Sequence, residues 1–562
     1  MKKISIYIFS IYILIYLFPL HVRPMIIPDE SRYAEIAREM IETGDWISPR
    51  LNALRYFEKP VLGYWLNAIS IKMFGENTFA IRLPSALSIG LLALMLILLV
   101  HRFTKDNTLT TLAGYIFLTS VEVLVVGTYS ILDGVFTLFV TASIIALFYA
   151  FLEPSGLKKI LYFIVAGVAC GLAFLTKGFL AFLIPVIVIV PFAIWQRQFK
   201  DLIRFSGLTL ISAVITLLPW SILIYIKEPD FWRYFFWVEH VDRFVSPKGG
   251  QHPYPLWFFI PTLIIGALPW TFQIFDEIFK LRKDFLKNPL VRLCICWFLL
   301  PFIFFSISKG KLITYILPCF PPLAVLFVIG FGSRENNSNA EKLYRSNKIG
   351  IIALLIIIIG LIITQLAVPA LMMFRSYEMW KLIVLLIGLL MYAVFLVMAN
   401  HSKIYERRLA MTCLAPLLLI LCSYYFVPDM FIADKTPIDF LSQYKDRINK
   451  DTILVSDNYM TPAVCWCYKR SDVFLFEKTG EFTYGINYDD SSKKRFIENI
   501  DKLREWISDE SHSKQLILIT SSKRFNDYKK HIPKPSFENS DRGFVFAVFT
   551  CGIKSKTEFL QK

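Results

Sequence analysis

Charged residues are scarce in this chain. Asp, Glu, Lys and Arg make up 19% of its 562 residues, against about 25% in ordinary soluble domains. Hydrophobic residues make up 56% and come in long runs separated by short basic stretches. A run of about 20 apolar residues is long enough for one transmembrane helix, and irregular backbone cannot face lipid. The composition therefore excludes a soluble multidomain protein and predicts an all-α polytopic membrane bundle.

Cysteine patterns typical of metal sites are also missing. Most of the nine cysteines, such as Cys170 and Cys294, lie in apolar runs and are interpreted as packing residues. Cys465 and Cys467 form a lone C-x-C without a second pair or a nearby His cluster, so we do not predict a cysteine zinc site. The net charge of +16 reflects Lys and Arg in cytoplasmic loops, and we expect no nucleic-acid partner.

The apolar runs predict about thirteen membrane spans. They cover residues 4–22, 81–101, 108–127, 131–151, 158–176, 179–196, 205–226, 256–278, 290–307, 312–332, 349–370, 380–399 and 409–427. Lys2 and Lys3 precede the first run, and no small-x-small cleavage site follows it. We therefore interpret that run as an uncleaved signal anchor.

Basic residues alternate between the short loops. They are concentrated in every second loop, at Arg102, Lys105, Lys158, Lys159, Arg197, Lys200, Arg204, Arg282, Lys283, Lys287, Arg334, Lys342, Arg345, Lys348, Lys403, Arg407 and Arg408. These loops are cytoplasmic by the positive-inside rule. An odd number of spans then places the C-terminus outside, which predicts a multi-pass protein of the bacterial inner membrane with its long loops in the periplasm.

Two parts of the chain follow from this topology. Residues 1–427 form the predicted transmembrane domain, with long outer loops at 23–80 and 227–255, and residues 428–562 form a polar periplasmic domain. Apolar runs in the second part predict strands, and one amphipathic stretch predicts a helix. The strands are at 452–455, 473–476, 515–519 and 544–548, and the helix is at 494–508. We predict a C-terminal α/β domain.

The first outer loop contains a charged helix. Its apolar residues follow helical spacing from Tyr33 to Ile41, and Gly44 is a suitable residue to end the helix. Asp29, Arg32 and Tyr33 lie on one face at i, i+3 and i+4 spacing, next to the membrane surface. The alternative is that Asp29 caps the helix and Arg32 is a solvated charge.

A second charged segment of the same loop runs Arg55-Tyr56-Phe57-Glu58-Lys59-Pro60. Pro60 suits the first position of a second surface helix. Glu58 and Lys59 then precede a helix N-terminus, where free N–H groups favour an anion, and Lys59 is well placed for a lipid phosphate. The alternative is an ordinary interfacial anchor of charged and aromatic residues.

Ionisable residues from several segments share the outer membrane boundary in this topology. They are Asp29, Arg32, Glu58, Lys59, Asp133, Lys177, His240, Lys309 and Lys311, with Tyr315 beside them. Such residues are functional by default, and their placement on one side indicates an enzyme. A transporter or flippase is the alternative, but it would place charges near the midplane of repeated halves. Only Glu122 lies deep in a span, and the sequence has no repeat.

The stretch from Asp29 to Leu87 resembles the first outer loop of the bacterial aminoarabinose transferases that modify lipid A. These belong to the GT-C class of polyprenyl-phosphate-dependent glycosyltransferases, to which the protein O-mannosyltransferases are related. The matching residues are Asp29-Glu30-x-Arg32-Tyr33, Gly44-Asp45-Trp46, Pro49-Arg50, Arg55 to Pro60, and Gly63-Tyr64-Trp65. Two positions depart from the family, which often has Gly at Ala53 and Pro at Val61.

The resemblance implies a role for each matching residue. Asp29 would be the main catalytic carboxylate and Asp133 a second one. Residues implied in substrate binding are Arg32, Tyr33, Tyr56, Lys59, Lys177 and Tyr315, with Arg32 and Lys59 on the carrier phosphate. Glu58 and His240 match a metal pair that would hold Zn²⁺ or another divalent ion.

The expected activity is transfer of an aminosugar, such as 4-amino-4-deoxy-L-arabinose, from undecaprenyl phosphate to a lipid A phosphate. A phosphate acceptor is already anionic and needs no general base, so Asp29 would stabilise developing positive charge instead. A protein O-glycosyltransferase of the same fold is the alternative within enzymes. The expected partners are the polyprenyl-phosphate carrier, the glycolipid acceptor and membrane lipids, with the chain itself a monomer.

Overall fold

The computed structural model describes residues 2–242, 254–271, 273–274, 286–332, 336–367, 372–508 and 515–550. Three of the predicted cytoplasmic charges, Arg282, Lys283 and Arg334, lie outside the described residues, as do residues 243–253 of the second outer loop and parts of the spans at 256–278 and 349–370. The chain forms two compact units. We call Met1–Val22 with Arg82–Pro428 the membrane unit, and Arg23–Ile81 with Asp429–Lys562 the sheet unit.

The membrane unit is helical. Within the described residues, eight helices are long and apolar enough to cross a membrane: Thr78–Thr104, Asp133–Leu152, Leu157–Lys177, Phe199–Lys227, Pro289–Ile307, Ile313–Gly332, Ala340–Ala367 and Ser376–His401. Shorter apolar helices span Tyr7–His21, Leu180–Trp195 and Leu256–Gly266, and Tyr405–Leu414 and Leu417–Cys422 follow near its end. The polytopic bundle is confirmed.

One further span is broken. Asn107–Thr119 and Val121–Gly127 meet at an angle of 65°, because Ser120 has an extended backbone between them. If this pair is one span, the described residues contain up to nine. Each predicted span overlaps a helix, but several of these helices are too short to count, so the predicted number of thirteen is not confirmed.

Small residues bring two spans of the membrane unit together. Gly167 and Gly171, on the helix Leu157–Lys177, face the helix Phe199–Lys227. A Cβ at Gly171 would lie 2.8 Å from the carbonyl oxygen of Ala213, and a Cβ at Gly167 would collide with Thr209. Glycines four residues apart allow such a close approach of two backbones. The packing fixes the helix that ends at Lys177.

The sheet unit contains a six-stranded mixed sheet. Its strands are β3 (Ile453–Ser456), β4 (Phe474–Phe476), β5 (Phe496–Ile497), β6 (Gln515–Ser521), β7 (Phe537–Asp541) and β8 (Phe544–Thr550), after a two-stranded hairpin of β1 (Arg50–Leu51) and β2 (Leu54–Arg55). The order is β5-β4-β3-β6-β8-β7. The first four strands are parallel, and β8 is antiparallel to both β6 and β7.

The main helices of the sheet unit are α1 (Asp29–Thr43), α2 (Leu62–Phe74), α3 (Thr461–Tyr468), α4 (Ile500–Ser508) and α5 (Ser522–Tyr528). Helices α3 to α5 cover the two faces of the sheet, whereas α1 and α2 pack against each other and against Trp466 of α3. Alternate residues of β6 point to opposite faces, so Ile517 packs in the same core as α3, whereas Leu518 packs in the core of α4 and α5. The predicted C-terminal α/β domain is confirmed.

Residues 23–81 belong to the sheet unit, a grouping that the sequence analysis did not anticipate. Asn52, fully buried in the β1–β2 turn, accepts a hydrogen bond from the Val473 amide at 3.0 Å and donates to the Val473 carbonyl at 2.8 Å. Arg495 donates to the carbonyl of Asn52 at 2.8 Å. The turn thus joins the first outer loop to the start of β4. The functional division proposed from the sequence stays a prediction.

The predicted helix of the first outer loop is confirmed as α1. It ends at Gly44, whose φ of 70° suits glycine. Its polar side is not solvated as an amphipathic surface helix requires, because Glu35, Arg38 and Glu39 are buried, and Arg38 donates to Glu35 at 2.7 and 2.8 Å. The polar side of α1 is thus packed inside the protein, and its predicted location at the membrane surface stays a prediction. The next helix, α2, begins at Leu62, two residues after Pro60, which was its predicted first position.

Candidate functional site

An arginine between two carboxylates forms the centre of the predicted site in the sheet unit. Arg32 lies in the first turns of α1, where one of its terminal nitrogens contacts Asp29 and the other contacts Glu481. Asp29 does not cap the helix, since Pro28 occupies the cap position. Arg32 is buried rather than solvated. The structure therefore contradicts the alternative that made Asp29 a cap and Arg32 a solvated charge.

Glu481 is the functional candidate that the sequence analysis missed. Burial opposes its ionisation, but Arg32, and to a smaller extent Lys59, lower its pKa below the usual carboxyl value. Tyr56 also donates to Glu481, at 3.2 Å. No local motif marks Glu481, because its partners lie in the first outer loop; Tyr56, for example, is 425 residues away in the chain. The carboxylate is thus held charged beside the arginine.

Aromatic residues surround this ion pair. The guanidinium of Arg32 lies 5.2 Å from the ring centre of Tyr33, and the Tyr33 ring lies 5.9 Å from that of Tyr64. Burial raises the pKa of Tyr56 and of Tyr64 well above the usual value, so both stay protonated. Tyr56 donates to Glu481, whereas the Tyr64 hydroxyl is buried without a hydrogen-bond partner among the described residues. The cluster combines one buried cation, two carboxylates and phenolic donors.

Glu58 and Lys59 follow the β1–β2 hairpin, just before α2. The ammonium of Lys59 donates to the carbonyl of Glu58 at 2.9 Å. Glu58 is buried, with 7% of its surface exposed. Lys59 lowers the pKa of Glu481 electrostatically, which places its charge near the Arg32 cluster. The structure therefore brings together Asp29, Arg32, Tyr33, Tyr56 and Lys59, as the sequence predicted.

A second cluster lies in the membrane unit. Asp133 is the first residue of the helix Asp133–Leu152, and Lys177 is the last of Leu157–Lys177. The Lys177 ammonium donates to Asp133 at 2.7 Å, with only 12% and 13% of the two side chains exposed. It also lies 5.4 Å from the ring centre of Tyr315. Lys177 therefore lies next to both of the other predicted residues of this cluster, Asp133 and Tyr315.

His240 lies next to the Lys177 turn. Its ring packs at 5.0 Å from that of Phe179 and at 4.6 Å from that of Phe235, whose carbonyl lies 2.8 Å from Nδ1. A Cβ on Gly178 would lie 2.8 Å from Nε2 of His240. The positive φ of Gly178, 80°, and this close approach both require glycine.

The metal pair is the part of the predicted site with least support. Among the described residues, no three His, Cys, Asp or Glu side chains are grouped as metal ligands. Glu58 belongs to the sheet unit and His240 to the membrane unit. Structural zinc sites have four ligands and catalytic ones three, so this donor set does not by itself make a metal site.

Comparisons with known proteins match the whole chain. Two family models match: "Dolichyl-phosphate-mannose-protein mannosyltransferase" at residues 4–235, and "Arabinosyl transferase ArnT, C-terminal domain" at residues 432–548. The undecaprenyl phosphate-alpha-4-amino-4-deoxy-L-arabinose arabinosyl transferase of Shewanella sediminis is 40% identical, over 97% of each chain. The enzyme of the same name from Erwinia tasmaniensis is 37% identical, over 93% of this chain and 94% of its own.

The fold also matches a solved structure. The crystal structure of ArnT from Cupriavidus metallidurans bound to undecaprenyl phosphate superposes with a TM-score of 0.80, at 20% sequence identity and over 97% of each chain. At this identity the likeness concerns the fold. The resemblance found in the first outer loop is confirmed by the relatives at higher identity, which extend it along the chain. This protein therefore belongs to the family of the undecaprenyl phosphate-alpha-4-amino-4-deoxy-L-arabinose arabinosyl transferases.

Proposed function

We propose that this chain is a glycosyltransferase that moves 4-amino-4-deoxy-L-arabinose from undecaprenyl phosphate to a phosphate of lipid A, at the periplasmic face of the bacterial inner membrane. The observation that carries the proposal is the 40% identity to a transferase of that name over 97% of both chains. Modification of lipid A in this way lowers its negative charge, and it would protect the cell from cationic peptides.

Arg32 and Lys59 would bind the phosphate of the carrier. Both terminal nitrogens of Arg32 contact carboxylates, Asp29 and Glu481, and its Nε is buried without a hydrogen-bond partner among the described residues. The phosphodiester that joins the carrier to its sugar is a monoanion with two free oxygens, and it can replace a carboxylate in a two-pronged contact with a guanidinium. We therefore expect the carrier phosphate to exchange with Glu481 at Arg32, with Lys59 supplying the second positive charge.

Asp29 would stabilise the positive charge that develops at the anomeric carbon as the phosphate leaves. Its side chain is 41% exposed, whereas that of Arg32 is only 7% exposed, so the carboxylate is the accessible member of the pair. An anionic acceptor needs no base, and a fixed carboxylate next to developing charge is an effective electrostatic catalyst. Asp29→Asn keeps the shape, and it should abolish most turnover while leaving carrier binding largely intact.

In the membrane unit, Asp133 would be the second catalytic carboxylate, with Lys177 and Tyr315 in substrate binding. Lys177 fixes the Asp133 side chain by the 2.7 Å hydrogen bond. A charge-assisted bond of this kind in a mostly buried place contributes about 1.5–3 kcal/mol. We propose that this hydrogen bond from Lys177 orients the Asp133 carboxylate.

Binding of a divalent ion by Glu58 and His240 stays a prediction of the family resemblance, and no step of the transfer uses it. Elemental analysis of enzyme treated with a chelator tests it. A full complement of metal that parallels activity would support the pair, whereas full activity without metal would reduce it to incidental binding.

Mass spectrometry of lipid A tests the function directly. Cells that express the gene should carry aminoarabinose on lipid A phosphate, and cells without the gene should not. Lys59→Ala should remove the modification, while the protein remains folded in detergent. Unmodified lipid A together with sugar on serine or threonine of a periplasmic protein would move the enzyme to the protein-acceptor class.

The topology has its own test. Alkaline phosphatase fused after Phe426 should be active, because residues 428–562 are predicted to lie in the periplasm. An inactive fusion, together with an active cytoplasmic reporter at the same place, would contradict the predicted orientation of the sheet unit's C-terminal part.

A further inference from the structure

The parallel strands of the sheet unit reverse their order at β3. The chain runs from β3 outward through β4 to β5, and then returns to β6 on the other side of β3. The helix after β3, α3, packs on one face, and the helix after β6, α5, packs on the other. The loops that leave β3 and β6 therefore diverge. In open α/β sheets such a crevice at the carboxyl ends of the strands is where ligands bind.

A cleft of about 560 Å³ opens at this edge, within the size range of ligand sites, about 300–1,000 Å³. The residues that line it follow the strands: Asn458 and Tyr459 after β3, Glu477 to Gly480 after β4, and Arg524 after β6. Phe496 of β5 completes one wall. The cleft is therefore built by the parallel half of the sheet.

Two polar atoms in the cleft have unused hydrogen-bonding capacity. Nη1 of Arg524 is buried and makes no hydrogen bond to the described residues, and its ion-pair distance to Asp457 is a loose 3.7 Å. Oδ1 of Asn458 is likewise buried and without a donor among them. Buried polar atoms in native proteins are nearly always satisfied. The Arg524 side chain as a whole is 25% exposed and lines the cleft, so a ligand there would meet its guanidinium.

The buried acid beside Arg524 is already committed elsewhere. Asp457 accepts from the Thr520 hydroxyl at 2.9 Å and from the amides of Tyr459 and Met460 at 3.0 and 3.1 Å. It therefore offers the guanidinium only a distant partner. The exposed Lys478 and Glu477 also line the cleft, and Glu477 accepts from the Tyr528 hydroxyl at 2.6 Å. The lining thus presents two cations and one carboxylate to an incoming ligand: the cations suit a phosphate, and the carboxylate suits hydroxyl donors.

The aromatic wall defines the rest of the ligand. Tyr459 is 53% exposed, and both Tyr459 and Phe496 line the cleft. Aromatic faces stack on the apolar face of a sugar ring, while sugar hydroxyls donate hydrogen bonds to an amide oxygen such as that of Asn458. We propose that this cleft is a second binding site, distinct from the Arg32 cluster, for a phosphorylated sugar.

The site is one residue away from the Arg32 cluster in the chain. Gly480 lines the cleft, and the next residue, Glu481, contacts Arg32. Gly480 has a φ of 52° and no room for a Cβ, because the Asn458 amide packs against it. The cleft wall and the carboxylate that holds Arg32 thus belong to one constrained loop.

Calorimetric titration of the full chain in detergent with glucosamine 1-phosphate tests the proposal. Arg524→Gln and Lys478→Gln should each weaken binding about tenfold or more, since each removes a charge-assisted contact. Lys523→Gln, an equal loss of charge on the exposed neighbour of Arg524, should not. Lys478 is exposed, so its variant keeps the test valid if Arg524→Gln does not fold. Lys59→Ala should bind the sugar phosphate as the wild type does, which separates this site from the carrier-phosphate site.

The source of the ligand is resolved by repeating the titration in phosphatidylcholine nanodiscs with and without lipid A. Loss of glucosamine 1-phosphate binding when lipid A is present identifies a lipid headgroup, and unchanged binding identifies a soluble sugar phosphate. The proposal is overturned if the sugar phosphate does not bind, if inorganic phosphate binds equally well, or if both cleft variants bind like the wild type.

Discussion

Asn52 should control the stability of the loop that bears Tyr56 and Lys59. Its side chain makes two hydrogen bonds to Val473 in a fully buried place. Removing the amide leaves the Val473 N–H without its partner, whereas the Val473 carbonyl retains Arg495 at 3.1 Å. An orphaned buried donor costs about 1–3 kcal/mol and an ordinary lost hydrogen bond about 1 kcal/mol. We therefore expect Asn52→Gly to cost about 2–3 kcal/mol.

The backbone conformation of this turn makes a second contribution to stability, separate from the hydrogen bonds of the Asn52 side chain. Asn52 has a φ of 57°, which glycine adopts freely and alanine does not. Asn52→Ala should therefore be worse than Asn52→Gly, by up to about 1 kcal/mol. At Ala53, with a φ of 56°, glycine should instead stabilise the turn by up to about 1 kcal/mol, which explains why the family often has glycine there.

Hydrogen–deuterium exchange of the full chain in detergent measures this effect. A loss of about 2–3 kcal/mol corresponds to a fall in protection of about 30- to 150-fold in peptides that cover β4. Asn487→Gly, the same substitution at an exposed position, serves as the control. The argument is refuted if both Asn52 variants keep β4 protected within about twofold of the wild type.

Further predictions concern the two predicted clusters. Gly178→Ala should reduce turnover, because the new methyl group would lie 2.8 Å from Nε2 of His240 on a backbone that costs alanine about 1–2 kcal/mol; unfolding and transfer assays measure both effects. Lys177→Met removes the hydrogen bond to Asp133 and should lower turnover about tenfold or more. Since the pKa of Glu481 is lowered, its ion pair contributes stability above the usual carboxyl pKa and loses it as pH falls through the lowered pKa. Glu481→Gln should therefore unfold at a lower temperature than the wild type at pH 7, and the difference should shrink below about pH 4.

The local sequence pattern was sufficient to predict those helices and strands whose formation depends mainly on nearby residues. The apolar spacing from Tyr33 onward and the glycine at position 44 predicted α1, and the alternation of apolar runs predicted β3, β4, β6 and β8. The local pattern left the roles of Asp29, Arg32 and Lys59 open, and only the resemblance of the first outer loop to a known family singled them out.

Long-range pairing decided the rest. The helix predicted at 494–508 begins only at Ile500, because Phe496 and Ile497 form strand β5 instead. Phe496 pairs with Leu475 of β4, and this pairing at the edge of the sheet outweighs the local helical propensity. Strand β7 reads Phe-Glu-Asn-Ser-Asp and is exposed after its first residue, so it carries no apolar alternation. No period in the sequence could therefore have revealed either strand.

Glu481 changes how Arg32 and Lys59 are expected to bind the carrier phosphate. A guanidinium between two carboxylates is not an open phosphate receptor, since both of its terminal nitrogens already have anionic partners. Burial makes this arrangement stable only while the charges stay paired, because an unpaired buried arginine is costly. A phosphate that replaces Glu481 preserves the pairing at Arg32 and releases a carboxylate beside Tyr56. In the proposed exchange, the arriving carrier would keep Arg32 neutralised at every stage, and the released Glu481 would be free to meet the cationic amino group of an aminosugar on the carrier.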